Sequence, residues 1–279
     1  MGMRVSTNIT ALKTQQALGG TRRSMDQAMA RLSSGSRINK ASDDAVGLAI
    51  SENFKSQLRG IKQANRNAQD GISMIQISEG GLTQITNNLV RLRELAIQAA
   101  SDTNSDRERN LLNTEYQQML SEIDRISGST EFNGTQLLSG VGKTIDFQVN
   151  TKNSQDIDRI SYDPSKADAS TVALGVNFCD VGTKLGAQKS LANVDDAINQ
   201  INSLRANLGA MQARLNSTSE TLMESDQNIA TANSRIRDAD VAVESSEFAK
   251  QNVLLQSGTA ILAQANQQNN LALSLLQKS

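Results

Sequence analysis

VDDAINQINSLRANLGAMQARLNSTSETLMESDQNIATANSRIRDADVAV, residues 194–243, carries an apolar side chain at every seventh position: Val194, Ile201, Leu208, Leu215, Leu222, Ile229, Ile236 and Val243. A weaker ladder follows three residues behind, through Ala197, Leu204 and Met211, then Thr218, Ser225, Ala232 and Ala239. A seven-residue repeat keeps one narrow stripe turned towards a partner helix, which is the coiled-coil condition. No proline interrupts it; the single proline of the chain is Pro164. At about 1.5 Å per residue, an unbroken helix over these positions would run roughly 75 Å. A rod of that length points to an elongated assembly element rather than a compact enzyme.

Working outward, composition agrees. The 279 residues would allow two ordinary domains, but aromatics make up 3% with no Trp, which favours thin helix-on-helix packing over a thick globular core. Net charge is -1, so there is no overall pull towards nucleic acid or an anionic membrane. The first fifty or so residues lean basic, but no aromatics interleave with the Arg and Lys, and a solvated or partner-facing helix side explains them. The chain has no His. That excludes His-dependent acid–base work, Ser-His-Asp and Cys-His triads and His-ligated metal. The single Cys179 excludes an internal disulfide and a multi-cysteine metal site, and reads as a small, partly buried apolar residue. Met1 to Gly20 lacks the apolar core of a signal peptide, and no run has the length of a membrane span.

Helical spacing predicts a first helix over 5–32, then a loop over 33–44 in which Ser42 is the expected N-cap, with Asp43 and Asp44 in the first turn. The next helix is predicted to reach about Ala100, with a slip in its apolar stripe near Glu79 to Leu82. Ser105 and Glu108 fit a capping box that opens a third helix, ending near Gly128. A loop is expected through Asn133-Gly134 and Gly140. Ile145, Phe147 and Val149 alternate with polar residues, as do Val172, Leu174, Val176 and Phe178, and Ile157 to Tyr162 is a weaker third candidate. Alternation reads as strands with one buried face, so a small β region is expected at about 141–180. Helical periodicity returns at about Leu191. From Asn252 onward Lys278 is the only charged side chain, and Leu254, Ile261 and Leu275 mark one apolar stripe while Leu255, Leu262 and Leu276 mark another. A helix apolar on several sides must be buried on several sides, so the two terminal helices are expected to be completed by other subunits.

Motifs that suggest chemistry fail on detail. Gly142-Lys143-Thr144 lacks the first glycine of a P-loop, since Leu137 holds that place, and it precedes a strand instead of opening a helix. Asp102 to Asp106 starts like a calcium loop, but Arg107 replaces the turn glycine and Asn113 the bidentate Glu. No catalytic constellation, cofactor site or metal site emerges.

The residues that remain point to a family. LSSGSRINKASDDAVGLAIS at 32–51 closely resembles the signature of bacterial flagellins. So do NRNAQDGIS at 65–73, EIDRI at 122–126 with Phe132-Asn133-Gly134, and the Ala/Asn/Gln/Leu-rich end closing on Leu271 to Leu276. The likeness covers roughly residues 3–140 and 185–279.

The resemblance implies a mainly α fold: a long antiparallel helical rod or coiled coil built from the N- and C-terminal halves, with a small central β-hairpin region. It implies an inner terminal domain at about 1–43 and 240–279 that orders on assembly, and a rod domain at 44–239. The large outer insertion of many flagellins, which in some carries a zinc peptidase, is missing here. The implied role is a subunit of the helical tubular filament that serves as a swimming propeller outside the cell, with no enzymatic activity and no cofactor. The self-assembly residues would be Val5, Ile9, Leu12, Leu254, Leu255, Ile261, Leu262, Leu275 and Leu276. The implied partners are further copies of the chain, the flagellar export apparatus, a flagellin chaperone at the C-terminal helix, and the filament cap and hook-junction proteins. The vertebrate innate immune receptor for flagellin would read a surface patch at Arg91, Leu95 and Glu115. A hook–filament junction protein is the alternative in the same structural class, and a non-polymerising coiled-coil adaptor is the alternative outside it.

Overall fold

The computed structural model describes residues 8–277, side chains excepted at 156 and 268–277. In chain order the elements are α1 (Ile9–Ser34), α2 (Ala45–Ala100), α3 (Asp106–Ser129), β1 (Glu131–Phe132), β2 (Thr135–Gln136), β3 (Ile145–Gln148), α4 (Gln155–Asp158), β4 (Arg159–Tyr162), a 3-10 turn (Pro164–Lys166), α5 (Lys184–Arg237) and α6 (Val241–Gln277). They fold as two compact units, residues 1–56 with 228–279, and residues 57–227. The boundaries fall inside α2 and α5.

In the unit formed by 57–227, α2 buries Ile61, Ala64, Ala68, Ile72, Ile75, Ser78, Leu82, Ile85, Leu89, Leu92, Ala96 and Ala99. Those positions step by three or four residues throughout, so the expected slip near Glu79 does not exist. Ser78 is the missing rung: its side chain is fully buried, and its hydroxyl donates to the Met74 carbonyl at 3.1 Å. A small hydroxyl that satisfies itself within its own helix sits in a core position without leaving an orphaned polar group.

The facing stripe comes from α5. Val194, Ala197, Ile201, Leu208, Leu215 and Leu222 are buried. Cross-links set the direction of the pair. Asn65 accepts from Ser219 at 2.6 Å, Glu79 lies 3.7 Å from Arg205, Arg93 reaches Asp195 at 2.6 Å, and Asp102 meets Lys184 at 2.7 Å. Partner numbers fall on α5 as they rise on α2, so the two helices are antiparallel. The third helix joins them through Tyr116, Leu120 and Ile123. Its N-terminus carries the expected capping box: Ser105 accepts from the Glu108 amide, and the Glu108 carboxylate takes the Ser105 amide. Those hydrogen bonds hold the Glu108 carboxyl below its ordinary range.

Asn133-Gly134 is a hairpin turn, not an open loop. Both residues have positive φ, 50° and 76°, as a primed turn requires, and β1 pairs antiparallel with β2 across it. The second hairpin pairs β3 with β4, in register from Ile145↔Tyr162 to Gln148↔Arg159. The weaker strand candidate, Ile157 to Tyr162, thus supplies the partner strand through its last four residues, while Ile157 and Asp158 end α4. The stronger-looking candidate, Val172 to Phe178, is a run of turns instead. Its amides bond locally, Leu174 to Ser170, Gly175 to Val172 and Val176 to Thr171, and Gly175 turns the chain at a φ of 70°. Leu174 and Val176 are buried while Val172 and Phe178 are exposed, so the alternation never described one face.

In the other unit, α1 packs against α6. The Asn8 side chain caps α1 by accepting from the Ala11 amide and donates to the Ala265 carbonyl at 3.0 Å. Arg31 pairs with Glu244 at 3.1 Å. Leu18 lies over Gly258 so closely that a Cβ there would meet its Cδ2 at 2.6 Å. The N-cap of α2 is Asp44 rather than Ser42: its carboxylate accepts from the Gly47 amide at 2.8 Å. Asp43 turns back into the loop, accepting from the Asn39 and Lys40 amides at 3.1 and 3.0 Å.

The helix expected to run unbroken through 194–243 ends at Arg237. The loop after α1 meets this end from both sides: its Arg37 amide donates to the Arg237 carbonyl, and its Gly35 carbonyl accepts from the Ala239 amide. Asp240 then opens α6, accepting from the Ala242 and Val243 amides. Ile229 and Ile236 are half-buried and Val243 is exposed, so the heptad ladder packs only as far as Leu222.

Candidate assembly surfaces

The terminal helices bury little of their apolar surface. Along α1 only Ala28 is fully enclosed. Ile9 and Leu12 remain 50% and 65% exposed, and Leu254 and Ile261 on α6 are 46% and 56% exposed. Leu255 and Leu262 are half-buried, turned towards the side where Ala265 and Gln251 pack. Thus α6 uses one apolar stripe within the chain and presents the other outward. Lys13, Ala17, Leu18, Leu254, Gly258 and Ile261 border a shallow groove between α1 and α6. Val5 lies outside the described residues, as do the side chains of Leu275 and Leu276.

The electrostatics of this surface are spare. Outside the Arg31–Glu244 pair, the charges of α6 gather near its start, where Glu247 takes hydrogen bonds from Gln251 and Lys250 that lower its carboxyl from the ordinary range. Further along, residues 252–277 carry no charge at all. No charge on that stretch opposes apolar contact.

The second expected surface lies where α2 faces α3. Arg91 reaches Glu115 at 2.8 Å and Glu94 at 3.0 Å, and those carboxylates, Glu115 above all, raise the guanidinium pKa. Arg91 and Glu115 are therefore brought together. Leu95 is not part of the surface: it is 1% exposed and belongs to the core beneath the pair. Its position in the 3-4 ladder, next to Leu92 and Ala96, explains the burial.

One feature was not legible in the sequence. Arg109 is 8% exposed, and its guanidinium donates to the carbonyls of Ala99 and Ser101 at 2.9 and 3.0 Å, closing the end of α2. A basic residue four places after an N-cap gives no sign of such a reach. Cys179 is buried, its Sγ accepting from Asn193 at 3.4 Å, next to a Tyr116 hydroxyl whose pKa burial pushes up. Among the described residues, no cluster of His, Cys, Asp and Glu could hold a metal ion, and no helix is long and apolar enough to cross a membrane.

Comparison with known proteins accounts for this architecture. The bacterial flagellin N-terminal helical region matches residues 5–143, and the bacterial flagellin C-terminal helical region matches residues 191–276. The flagellin of Halalkalibacterium halodurans is 40% identical over 274 residues, spanning 98% of this chain and all of that one. The flagellin of Bacillus subtilis is 42% identical over 304 residues, with the same shares covered. A solved structure described as a flagellar hook-associated protein of Vibrio parahaemolyticus superposes with a TM-score of 0.58, over 70% of this chain and all of that one; at 13% identity it shares the fold alone. The alternatives of a junction protein and of a coiled-coil adaptor give way to matches at both ends and near-complete alignment with flagellins. The chain belongs to the bacterial flagellin family.

Proposed function

We propose that α1 and α6 are the segments through which this flagellin joins its own copies. The chain is a structural subunit of the flagellar filament, outside the cell, and not an enzyme. The observation that carries the assignment of the joining surface is the outward stripe of Ile9, Leu12, Leu254 and Ile261 on helices already packed together. Burying a Leu or Ile side chain is worth about 1.5–3 kcal/mol, and only further copies offer enough apolar surface to cover this stripe along a filament. Contacts between unlike faces whose rotation does not close repeat indefinitely, which is the geometry of an open helical polymer.

The same stripe supports a chaperone that covers α6 before assembly, and export through the flagellar apparatus before the terminal helices have partners. Contacts with the filament cap and hook-junction proteins would use the same ends. Recognition by the innate immune receptor would rest on Arg91 and Glu115 without direct contact from Leu95 in the folded chain.

The test is seeded assembly of the purified chain, viewed by negative-stain electron microscopy, beside a version lacking residues 1–43 and 240–279. Long uniform filaments from the full chain alone are expected. Filaments from the truncated chain would place the joining surface elsewhere.

A further inference from the structure

Phe178 is 93% exposed, although the loop that carries it is held firmly. The next residue, Cys179, is buried, and its carbonyl accepts from the Gln117 side chain at 3.0 Å. Asp180 accepts from the Gly182 amide at 2.8 Å, and its carbonyl takes the Ser190 hydroxyl. Among the described residues no cation pairs with the Asp180 carboxylate. The backbone of the corner is therefore fixed, and it presents an aromatic ring beside an unpaired negative charge, which lowers the cost of ordering the segment on binding.

The same compact unit holds a counterpart. Beside the β3–β4 hairpin, α5 borders a cleft of about 420 Å³. Its apolar side is Val149, Ile160 and Leu222, and its rim carries Arg159 and Arg214. Arg159 bonds only to the neutral side chains of Gln148 and Asn153, and neither arginine has a carboxylate partner among the described residues. The cleft thus offers an apolar floor and positive charge, matching the ring and the carboxylate of the corner.

One chain cannot bring the two together. From Ser190, beside the corner, to Thr218, beside the cleft, α5 rises roughly 40 Å. We propose that the Phe178–Asp180 corner of one subunit seats in the Arg159–Arg214 cleft of a second copy. The contact joins unlike surfaces, leaves a free corner and a free cleft on each pair, and so propagates. It rests on the reading of the chain as a filament subunit and adds a contact made by the 57–227 unit.

The test uses the full chain with Cys179→Ser, carrying Asn177→Cys and Ser217→Cys together or singly, assembled and then oxidised. Multimers linked by disulfides are expected from the double variant and from neither single one. In the original background, Asp180→Asn keeps the oxygen that accepts from Gly182, and Arg214→Gln removes the opposing charge. Each is expected to raise the critical concentration for assembly about two- to five-fold, the range of an exposed ion pair, with the combination no worse than either alone. Circular dichroism checks that each variant folds. Normal filaments without the linked multimers, or critical concentrations that do not move, overturn the contact while leaving the filament reading intact. An unsubstituted chain that forms no filament overturns that reading, and this contact with it.

Discussion

The Arg37 guanidinium donates to the Ile236 carbonyl through both Nε, at 3.2 Å, and Nη2, at 2.7 Å. With the Arg37 amide on the Arg237 carbonyl, the loop after α1 caps the end of α5. A helix leaves its last four carbonyls without intrahelical partners, and a cation there also complements the helix dipole. The loop resembling the family signature thereby ends the longest heptad ladder of the chain.

Arg37→Ala is expected to fray that junction. The loss should be about 1 kcal/mol, the net worth of a hydrogen bond of this kind. Hydrogen exchange would show it as faster exchange of the Asp238 amide, which donates to Ser234 at 2.9 Å, and of the Ala239 amide. Amides in the middle of α3 should be unchanged.

Ser105→Ala removes the acceptor for the Glu108 amide and should cost about 1 kcal/mol in thermal or urea unfolding of the 57–227 unit. Restoring a short polar acceptor with Asp should recover most of it. Equal stability of the Ala variant and the original would show that the cap contributes nothing.

Leu215 is fully buried and packs so near Gly71 that a Cβ on that glycine would meet its Cδ1 at 3.2 Å. Leu215→Ala is expected to cost about 2–5 kcal/mol through lost burial and the cavity left behind. Val243→Ala, at a ladder position that is exposed, should change the stability of the isolated subunit by less than about 0.5 kcal/mol. Urea unfolding of the two variants checks the contrast directly.

The Asp43 carboxyl is held below its ordinary value of 3.8, first by the Lys40 amide and then by that of Asn39. A carboxylate with a lowered pKa stabilises the folded loop above its unfolded value, and the contribution disappears as pH falls through the lowered one. Exchange protection of the Asn39 and Lys40 amides should therefore be full at neutral pH and lost only in acid below the usual carboxylate range. Asp43→Asn should flatten that dependence.

Periodicity identified the helices because a core-facing stripe leaves its spacing in the sequence whatever the partner is. It misread α2 near Glu79 because a spacing argument counts Ser78 as polar, whereas the folded chain lets its hydroxyl bond to Met74 and occupy the core. It extended α5 too far because Ile229, Ile236 and Val243 keep the repeat even where no partner helix covers them fully. At Val172 to Phe178 alternation imitated a strand, since it carries no record of whether the amides find a neighbouring strand or bond among themselves. The second apolar stripe of α6, which leaves Leu254 and Ile261 outward, was legible in the sequence; the burial of Leu95 was misread, because the surface patch was assigned by resemblance while its spacing from Leu92 and Ala99 places it on the core face.

By itself the sequence determined a mainly helical chain, the start of α3 at a capping box, the absence of histidine chemistry and, through long position-specific stretches, the flagellin likeness. These are local properties: spacing, cap residues and residue types act within a few turns of backbone. Only the tertiary structure decided where α5 stops, which strand pairs with β3, how Arg109 closes α2 and which apolar side chains remain outside. Each of those depends on groups beyond the reach of a few helical turns or a single cap, competing for a carbonyl, amide or apolar surface, and that competition is resolved only when the chain is folded.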